Sequence, residues 1–496
     1  MKSLKPQLKI SAFALLLLSL TACGMATGKG DYYYNGYSYE KSNYVQPSNN
    51  VSQKPNGSSN AINPGNPFVD VANDNTNNLS LTSSTFAYTT IREEINGNHM
   101  YNVGDMVKAE EMLNYFHYGY VNDTDDALTT KLELDKCPWN NDHYLASVVV
   151  KAKPAITDNV KNNIVILVDK SGSMSPVLNL VKKSLYTLVD NLGNDDVVSI
   201  VSYASGCKVE CEGKTGENKN YLNRVIEDLK ASGATNGEAG IETAYEMAYK
   251  YFIPDGNNRV VILTDGDFNV GKVSGEELTK LIKKNAGDGV FLTCCGYRSY
   301  DNNTLYTLAN NGNGNAYYID CELEAEKVFE EELGKSLYVV AKDAKCQVQF
   351  SDAVKSYRLI GYESRQITDQ EFNNTRKDAG EIMSDHTTVA LYELILNDRA
   401  HNDDYYFKAT LHYKEPITEE NKEVSNTKSD ISVSRRVDFD FAGYVAEFAL
   451  ILSNSSYRGN ASYSHLLGRI DNQVINDAYR DDFVAVVNKA KALASN

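Results

Sequence analysis

The sequence predicts an α/β fold: a doubly wound, mostly parallel sheet that is inserted in or flanked by a β-sandwich-like domain, with a helical segment at the C-terminus. Two observations support this prediction. From 163 to 341, short apolar runs alternate with segments whose apolar residues recur at helical spacing. On both sides of this region, apolar and polar residues alternate with period two, as in antiparallel strands. We therefore expect the α/β domain to interrupt a β domain built from both flanks.

The runs of the central region are apolar on both faces, so neither face suits contact with solvent. They therefore predict strands that are buried on both faces. Strands of this kind, separated by helices, indicate a Rossmann-like parallel sheet. The strand candidates are Ile164–Val168, Val197–Val201, Val260–Leu263, Val290–Thr293 and Ala316–Ile319, and the helical patterns between them are Val177/Val181/Leu185/Leu188, Leu222/Val225/Ile226/Leu229 and Leu278/Leu281/Ile282.

The flanking regions have a different pattern. Before the central region, 106–116 predicts an amphipathic helix, while 127–134 and 144–150 predict strands. After it, 405–413 and 431–437 alternate and predict antiparallel strands of a sandwich. The expected ranges are a lipoprotein signal peptide (1–22), a disordered tether (23–78), an N-terminal region with a helix and strands (79–155), the α/β domain (156–341), a β-rich domain (342–440) and a C-terminal helical region (441–496).

The N-terminus has the features of an export signal. Lys2, Lys5 and Lys9 precede an apolar run, which ends in Leu20-Thr-Ala-Cys23. The cysteine after small residues resembles the lipobox of bacterial lipoproteins, and on that resemblance Cys23 becomes the lipid-bearing N-terminus of the mature chain. The alternative is an ordinary cleaved signal with a chance cysteine. The Gly-, Ser-, Asn- and Tyr-rich stretch that follows predicts a flexible tether.

Charge and cysteine content narrow the function classes. The formal net charge is −17, and removing the three signal-peptide lysines makes it −20. Nucleic acid is therefore not expected as a partner, because phosphate binding relies on basic patches. No later apolar stretch approaches the length of a membrane span. Of the cysteines, Cys207 and Cys211 are the pair we expect to form a disulfide, whereas Cys294 and Cys295 are expected to face opposite sides of one strand as buried filler.

Polar side chains follow the predicted strands at points that would meet in space. Asp169-Lys-Ser171-Gly-Ser173 ends the first strand of the central region, and Thr264-Asp265-Gly266 ends a later one. A third segment, 232–237, opens the predicted helix 238–252. Ligands of open α/β sheets bind in the crevice at the carboxyl ends of the strands. Carboxylates and hydroxyls gathered there suit a hard divalent cation such as Mg²⁺.

These residues resemble the metal-ion-dependent adhesion site of von Willebrand factor type A (VWA) domains. The resemblance implies that Ser171, Ser173 and Thr235 coordinate Mg²⁺, or Mn²⁺ or Ca²⁺, and that Asp169 and Asp265 support the ion largely through water. It also implies that an Asp or Glu of a partner protein completes the metal's coordination. The alternative, that the serines only cap the following helix, leaves both acids unexplained. Asp267 and Asn269 are assigned to the rim of the crevice or to a turn.

Most of the chain is similar to YfbK-like bacterial lipoproteins that carry a central VWA domain. The similar segments are 109–116, 137–140, 233–241, 259–271, 445–452 and 457–459. One segment departs from the pattern: where such proteins often have Asp-Val-Asp-Thr-Ala-Ser-Tyr, this chain has Thr82-Ser-Ser-Thr-Phe-Ala-Tyr88, so both acids are replaced. Cys137 and Trp139, in the second similar segment, are expected to belong to the core or a turn.

The function predicted from these features is a membrane-anchored adhesion or scaffold module of the cell envelope, not an enzyme. The partner would be a protein that presents an acidic residue. The alternatives are a metal-dependent hydrolase such as a phosphoesterase, and a structural envelope protein. Against the hydrolase, the sequence contains no GxxxxGK[ST], GxSxG or HExxH motif, and Asp169 is followed two residues later by Ser171, not by a second aspartate.

Overall fold

The computed structural model describes residues 65–155, 160–234, 237–266, 275–298, 302–333, 338–375, 379–397, 405–416, 418–471, 474–475 and 477–495. Within these ranges, no helix is both long enough and apolar enough to cross a membrane. The predicted signal peptide, Cys23 and most of the predicted tether lie outside the described residues.

The chain before the α/β domain supplies strands and three helices to the body of the protein. On α1, Tyr88, Ile91 and Ile95 recur at helical spacing and are fully buried. The elements are β1 (Val69–Asp70), β2 (Thr76–Ser80), α1 (Phe86–Asn96), α2 (Val103–Met106), α3 (Ala109–Asn114), β3 (Leu128–Lys136) and β4 (Tyr144–Ala152).

The α/β domain is a sheet in the order β10-β9-β8-β5-β6-β7, parallel except for the antiparallel edge strand β7. Apolar cores lie on both faces: Ile166 of β5 faces one and Leu167 the other. The elements are β5 (Asn162–Asp169), α4 (Leu178–Asn191), β6 (Val197–Tyr203), β7 (Cys207–Thr215), α5 (Lys219–Glu227), α6 (Glu238–Lys250), β8 (Asn257–Thr264), α7 (Gly275–Gly287), β9 (Val290–Gly296), α8 (Asn302–Asn311), β10 (Ala316–Tyr318) and α9 (Glu322–Glu326), which continues as a π-helix (Lys327–Glu332).

The chain after the α/β domain returns to the body. It contributes β11 (Val339–Phe350), β12 (Val354–Ile360), β13 (Gln366–Ile367), α10 (Asp369–Asn373), β14 (Gly380–Met383), β15 (Thr387–Leu396), β16 (Phe407–Lys414), β17 (Asn421–Lys428), α11 (Arg436–Leu452), α12 (Tyr463–Arg469) and α13 (Ala478–Ala494).

Strands from both flanks share the two sheets of the body. One sheet has the order β1-β12-β15-β4-β3 and the other β13-β2-β11-β16-β17, with β14 paired to β11. On β4, Val148 and Val150 face the core between the sheets, whereas Leu145 and Val149 face a helical layer formed mainly by α1, α3, α11 and α13. Because helices cover its outer face, β4 is apolar on both sides. The predicted fold class is confirmed.

The two ends of the α/β insertion are held by one residue of the body. The backbone N–H of Ala155 donates to Oγ of Ser384 (2.7 Å). The backbone N–H of Ser384 donates to the carbonyl of Tyr338 (2.7 Å). The chain therefore leaves the body and re-enters it at neighbouring points.

Three local predictions were wrong. The tether does not extend to residue 78, because β1 pairs with β12 and β2 pairs with β11 before that point. The stretch 431–437 is not a strand: α11 begins at Arg436, and the Glu133 carboxylate accepts hydrogen bonds from Ser434 that hold the preceding loop. The helix predicted at 106–116 is interrupted, because Val107 and Lys108 are extended between α2 and α3.

The cysteine predictions had mixed outcomes. Cys207 and Cys211 are both free and both lie in β7. Four residues along a strand span about 13 Å, well beyond the roughly 7 Å limit for disulfide-linked Cα atoms, so the predicted pair was wrong. Cys294 and Cys295 are buried on opposite faces of β9, as predicted.

Candidate metal centre

The carboxyl ends of two adjacent strands bring the predicted acids together. β5 and β8 are parallel, with Val168 opposite Leu263, so Asp169 and Asp265 both lie at the same edge of the sheet. Asp265 lies one residue beyond the end of β8, and Asp169 is the last residue of the adjacent β5. Burial raises the pKa of Asp169, and the negative charge of Asp265 adds to that rise.

Asp169 is fixed by hydrogen bonds on both carboxylate oxygens. Oδ1 accepts from the backbone N–H of Ser171 (2.8 Å). Oδ2 accepts from the Tyr203 hydroxyl (3.0 Å) and from the Thr264 hydroxyl (3.2 Å). The Asp169 side chain is therefore locked in place by the loop that follows its own strand and by the ends of the strands on either side, β6 and β8.

Tyr203 was not predicted to belong to this site, and Thr264 was expected at this edge but without a role in holding Asp169. The signal was present, because Tyr203 is the last residue of β6 and pairs directly with Asp169. Every strand end at this edge was a candidate by the same rule that selected Asp169. The predicted run stopped two residues short, at Val201.

Both serines follow Asp169 closely: Ser171 lies directly before a single turn of 3₁₀ helix, Gly172–Met174, and Ser173 lies within it. The hydroxyls of Ser171 and Ser173 are 2.9 Å apart. Ser171 precedes the turn but makes no side-chain capping hydrogen bond, and the residue that precedes α4 is Val177. The structure therefore does not support a helix-capping role for the serines.

Asp265 provides a test of whether the site suits a cation. Its Oδ1 is buried and has no hydrogen-bond partner in the described structure. A buried carboxylate oxygen without a donor is costly unless a cation or water satisfies it. This oxygen and the Ser171 and Ser173 hydroxyls are oxygen ligands of the kind that Mg²⁺, Mn²⁺ or Ca²⁺ accepts. The described residues thus fit the ion implied by the sequence.

The third predicted segment also contacts this loop. The backbone N–H of Gly172 donates to the carbonyl of Gly233 (3.0 Å), and that of Ser232 donates to the carbonyl of Lys170 (2.7 Å). Ala234 donates to the Ser205 hydroxyl (3.0 Å). Thr235 itself lies outside the described residues, as do the predicted rim residues Asp267 and Asn269. Its role as a metal ligand stays a prediction.

A cluster of three or more His, Cys, Asp or Glu side chains suited to a metal does not occur in the described part of the chain. The candidate centre has a different composition, with two carboxylates and the rest hydroxyls. Such a set leaves more positive charge on the ion than a carboxylate-rich cage would.

The segment containing Cys137 and Trp139 forms part of the core, as predicted. Both side chains are buried. Trp139 donates its indole N–H to Glu393 (3.2 Å), which also pairs with Arg358 (2.5 Å). Glu110 accepts from the backbone N–H of Tyr362 (2.9 Å). The segments 109–116 and 137–140 therefore contain side chains that hold the body together.

One comparison establishes the family. The "Uncharacterized protein YfbK" of Escherichia coli (strain K12) is 32% identical over 458 residues, which cover 86% of this chain and 80% of that protein. The chain belongs to the YfbK family. The family described as "Uncharacterized protein YfbK, C-terminal" matches residues 335–493, "von Willebrand factor type A domain" matches 163–331, and "von Willebrand factor" matches 56–147.

Other similarities are more distant. The voltage-dependent calcium channel subunit alpha-2/delta-2 of Mus musculus is 26% identical over 237 residues, 45% of this chain and 20% of that protein. The solved structure of a von Willebrand factor type A protein from Catenulispora acidiphila covers 75% of this chain and 92% of that one, with 13% identity and a TM-score of 0.38. VWA domains are generally protein-interaction modules, and many of them depend on a metal.

Proposed function

We propose that this member of the YfbK family is a membrane-anchored, metal-dependent protein-binding module. In this proposal Asp169, Ser171, Ser173, Thr235 and Asp265 hold a divalent cation, which binds an acidic residue of a partner protein. The observation that carries the proposal is the buried, unpartnered Oδ1 of Asp265, at the same strand edge as the paired serine hydroxyls.

The residues around the ion have distinct tasks in this proposal. When bound, the cation supplies a Lewis-acidic position for a carboxylate. Tyr203 and Thr264 hold the Asp169 carboxylate by hydrogen bonds, so that it remains oriented in the absence of a partner. The neutral serine hydroxyls supply oxygen ligands without adding negative charge to the site, which favours binding of an acidic residue of the partner.

Anchoring and location complete the proposal. Cys23 would carry lipid, and the Tyr- and Asn-rich segment after it would connect the lipid to the folded body in the cell envelope. A metal-dependent phosphoesterase is the competing function, because a cation beside hydroxyls can also serve phosphoryl transfer.

Metal binding can be measured directly with Mn²⁺ by electron paramagnetic resonance. We expect the wild-type chain to bind one Mn²⁺ and Asp265→Asn to lose most of that binding, because the substitution removes the charge of an oxygen assigned to the ion. Asp255→Asn is the matched control, since Asp255 is an exposed turn residue before β8. Equal Mn²⁺ binding by wild type and Asp265→Asn would contradict the proposed site.

A binding experiment with membrane extracts distinguishes the protein-binding function from the phosphoesterase function. Membrane extracts passed over the immobilised chain with Mg²⁺ should leave a bound protein that chelator releases and that Ser171→Ala fails to capture. Turnover of a generic phosphoester such as p-nitrophenyl phosphate, lost in Asp169→Ala, would instead support the phosphoesterase. Capture that survives both chelator and Ser171→Ala would contradict metal-mediated binding.

A further inference from the structure

A polar cleft lies between the α/β domain and the sandwich, away from the candidate metal centre. Its largest cavity, of about 580 Å³, is lined by the ends of α7 and α8 on one side and by 80–84 and 379–381 on the other. A cavity of about 310 Å³ shares Ser84, Tyr306 and Arg365 with it, and one of about 400 Å³ shares Ser83, Asn315 and Tyr317. The three cavities are therefore lobes of one cleft, in the size range of small-molecule sites.

Arg365 is the cation in this cleft that no carboxylate neutralises at hydrogen-bond distance. It lines two of the lobes, and the hydrogen bond its guanidinium makes to described residues is from Nη2 to the Tyr306 hydroxyl (3.0 Å). The phenol oxygen of Tyr306 therefore holds the guanidinium at one of its nitrogens. Burial raises the pKa of Tyr306, but the charge of Arg365 and hydrogen bonding to the phenol oxygen together hold that pKa below its ordinary value.

The other cations of the cleft are paired or exposed. In the lobe of about 400 Å³, Lys327 pairs with Glu332 and His117 pairs with Glu331. Lys108 pairs with Glu111 in the smallest lobe (3.1 Å). Lys283 is exposed at the rim of the largest lobe, where Glu381 is the acid among the described lining residues. Arg365 thus has five N–H donors and no carboxylate within hydrogen-bond distance of them in the described residues. Burial lowers the pKa of Arg365, but Tyr306 and the more distant charges of Glu111 and Glu110 raise it.

The rest of the largest lobe offers uncharged hydrogen-bonding groups. Asn310, Asn311, Asn313 and Asn315 contribute amides, and the segment 80–84 contributes hydroxyls. Each amide and hydroxyl can both donate and accept. A ligand dense in hydroxyl and amide groups would pair with such a lining, whereas an apolar ligand would leave it unsatisfied.

Ser84 lines both lobes that Arg365 lines. An acid at position 84 would place a carboxylate in the same two lobes as the guanidinium. With serine there, a carboxylate hydrogen-bonded to Arg365 is left for a ligand to supply.

We propose that this cleft binds an acidic saccharide, with the sugar carboxylate on Arg365 and the hydroxyl and N-acyl groups on the asparagine- and serine-lined wall. This function is separate from the candidate metal centre and does not depend on it. Sugar carboxylates occur in cell-wall glycan and in sialylated glycans, and the two sources share the chemistry that the cleft recognises.

Titration calorimetry with three sugars tests the ligand class. N-acetylmuramic acid and N-acetylglucosamine differ by the lactyl ether that carries the carboxylate, so they isolate its contribution. We expect N-acetylmuramic acid or N-acetylneuraminic acid to bind at least about ten-fold more tightly than N-acetylglucosamine, with no effect of chelator. Preference between the two acidic sugars identifies the wall or the sialylated source.

Two variants test the place of binding. Arg365→Gln should weaken binding about ten- to a hundred-fold, because it removes a charge-assisted hydrogen bond. Gly287→Trp should block the cleft: Gly287 lines the largest lobe, and a Cβ added there meets nothing within 4 Å, so the ring can enter without disturbing the fold. Gly468→Trp is the matched control, since Gly468 is exposed, has the same open surroundings and is not a lining residue of the cleft.

Ser84→Asp tests the charge argument in the opposite direction. The new carboxylate would compete for Arg365, so the variant should bind the acidic sugars at least about ten-fold more weakly while its thermal midpoint stays at or above that of wild type. Equal binding of N-acetylglucosamine, binding unaffected by Gly287→Trp, no binding of any sugar, or preference for an acidic peptide such as tetraglutamate would each overturn the proposal.

Discussion

Asp265 has different consequences in the metal-free and the metal-bound chain. Without an ion, its buried oxygen has no partner in the described structure and its charge opposes that of Asp169. We predict that Asp265→Asn raises the free energy of unfolding of the chelator-treated protein by about 1 kcal/mol, because it removes this repulsion.

Urea unfolding with and without Mn²⁺ checks this prediction. Mn²⁺ should stabilise the wild type and leave Asp265→Asn unchanged, since binding to the native state adds stability by mass action. Asp255→Asn should respond to Mn²⁺ as the wild type does. A metal-free Asp265→Asn less stable than wild type would show that the Asp265 charge has a favourable partner.

Glu110 couples the stability of the body to pH. Burial raises its pKa to about 7, and the charge of Glu111 adds to this, against the N–H of Tyr362, which lowers it. The native state therefore keeps a proton that the unfolded chain releases above its ordinary pKa of 4.5. Stability contributed by this group is present at low pH and is lost as pH rises from about 4.5 to about 7, by at most about 3 kcal/mol.

The variant Glu110→Gln isolates this contribution. Gln keeps an oxygen that can accept from Tyr362 but has no charge to bury, so its free energy of unfolding should exceed that of wild type at pH 8 and match it more closely at pH 4.5. Glu246→Gln, on the exposed side of α6, should leave the pH profile unchanged. The predicted direction would be wrong if the free energy of unfolding of wild type, relative to that of Glu110→Gln, rose between pH 4.5 and pH 7.

At the level of elements, Arg92 joins three parts of the fold. From α1 it pairs with Asp320 (2.5 Å) and Glu324 (3.1 Å) of the α/β domain and with Asp482 (3.0 Å) of α13. Arg92→Met should lower the free energy of unfolding by about 3–5 kcal/mol, because Asp320 and Glu324 would remain buried without a counter-charge.

Guanidinium chloride masks charge, so urea is the denaturant of choice for measuring this loss. Arg458→Met serves as the control, because Arg458 is exposed and bonds to Asn454 on its own loop. A loss below about 1 kcal/mol for Arg92→Met would mean that the buried acids take up protons and tolerate the substitution.

The elements that the sequence predicted best are those buried on both faces. The ends of β5, β8 and β9 were predicted to within about three residues, because a doubly buried strand is apolar throughout. β7 and β17 were not predicted. β7 contains the charged residues Lys208, Glu210 and Lys214, and β17 is largely exposed. Edge strands carry such charges to prevent further pairing, and the same charges remove the apolar pattern.

Candidate-site residues were predictable to the extent that they end a strand. Asp169 and Asp265 were found from that rule and lie at one edge, as expected. Arg365 could not be predicted as a binding residue from the sequence, because its proposed role depends on having no carboxylate at hydrogen-bond distance among the described residues. Neither its neighbours in sequence nor the composition of the chain indicates that Tyr306 lies next to it.

At the scale of the whole molecule, the α/β domain is an insertion with adjacent ends. Ala155 and Tyr338 both hydrogen bond to Ser384. We predict that replacing residues 156–337 with a short Gly-Ser linker yields a folded body, because β4 and β11 would keep their partners in the two sheets.

Circular dichroism and size exclusion would check this deletion. The expected product has strand and helix signal, unfolds cooperatively and has a lower midpoint than the full chain, since Arg92 loses Asp320 and Glu324. An aggregated or unfolded product would show that the body depends on the α/β domain. In the folded deletion protein, Arg92→Met should lower the free energy of unfolding only slightly, because Asp482 is the one acidic partner of Arg92 that the deletion retains among the three described.

The closeness of Ala155 and Tyr338 also bears on how such a protein could diversify. An α/β domain that is inserted at one point of the body can be exchanged for a domain of another binding specificity without changes to the body. Grafting a VWA domain from a distant relative between these two residues would then transfer its target preference to this body.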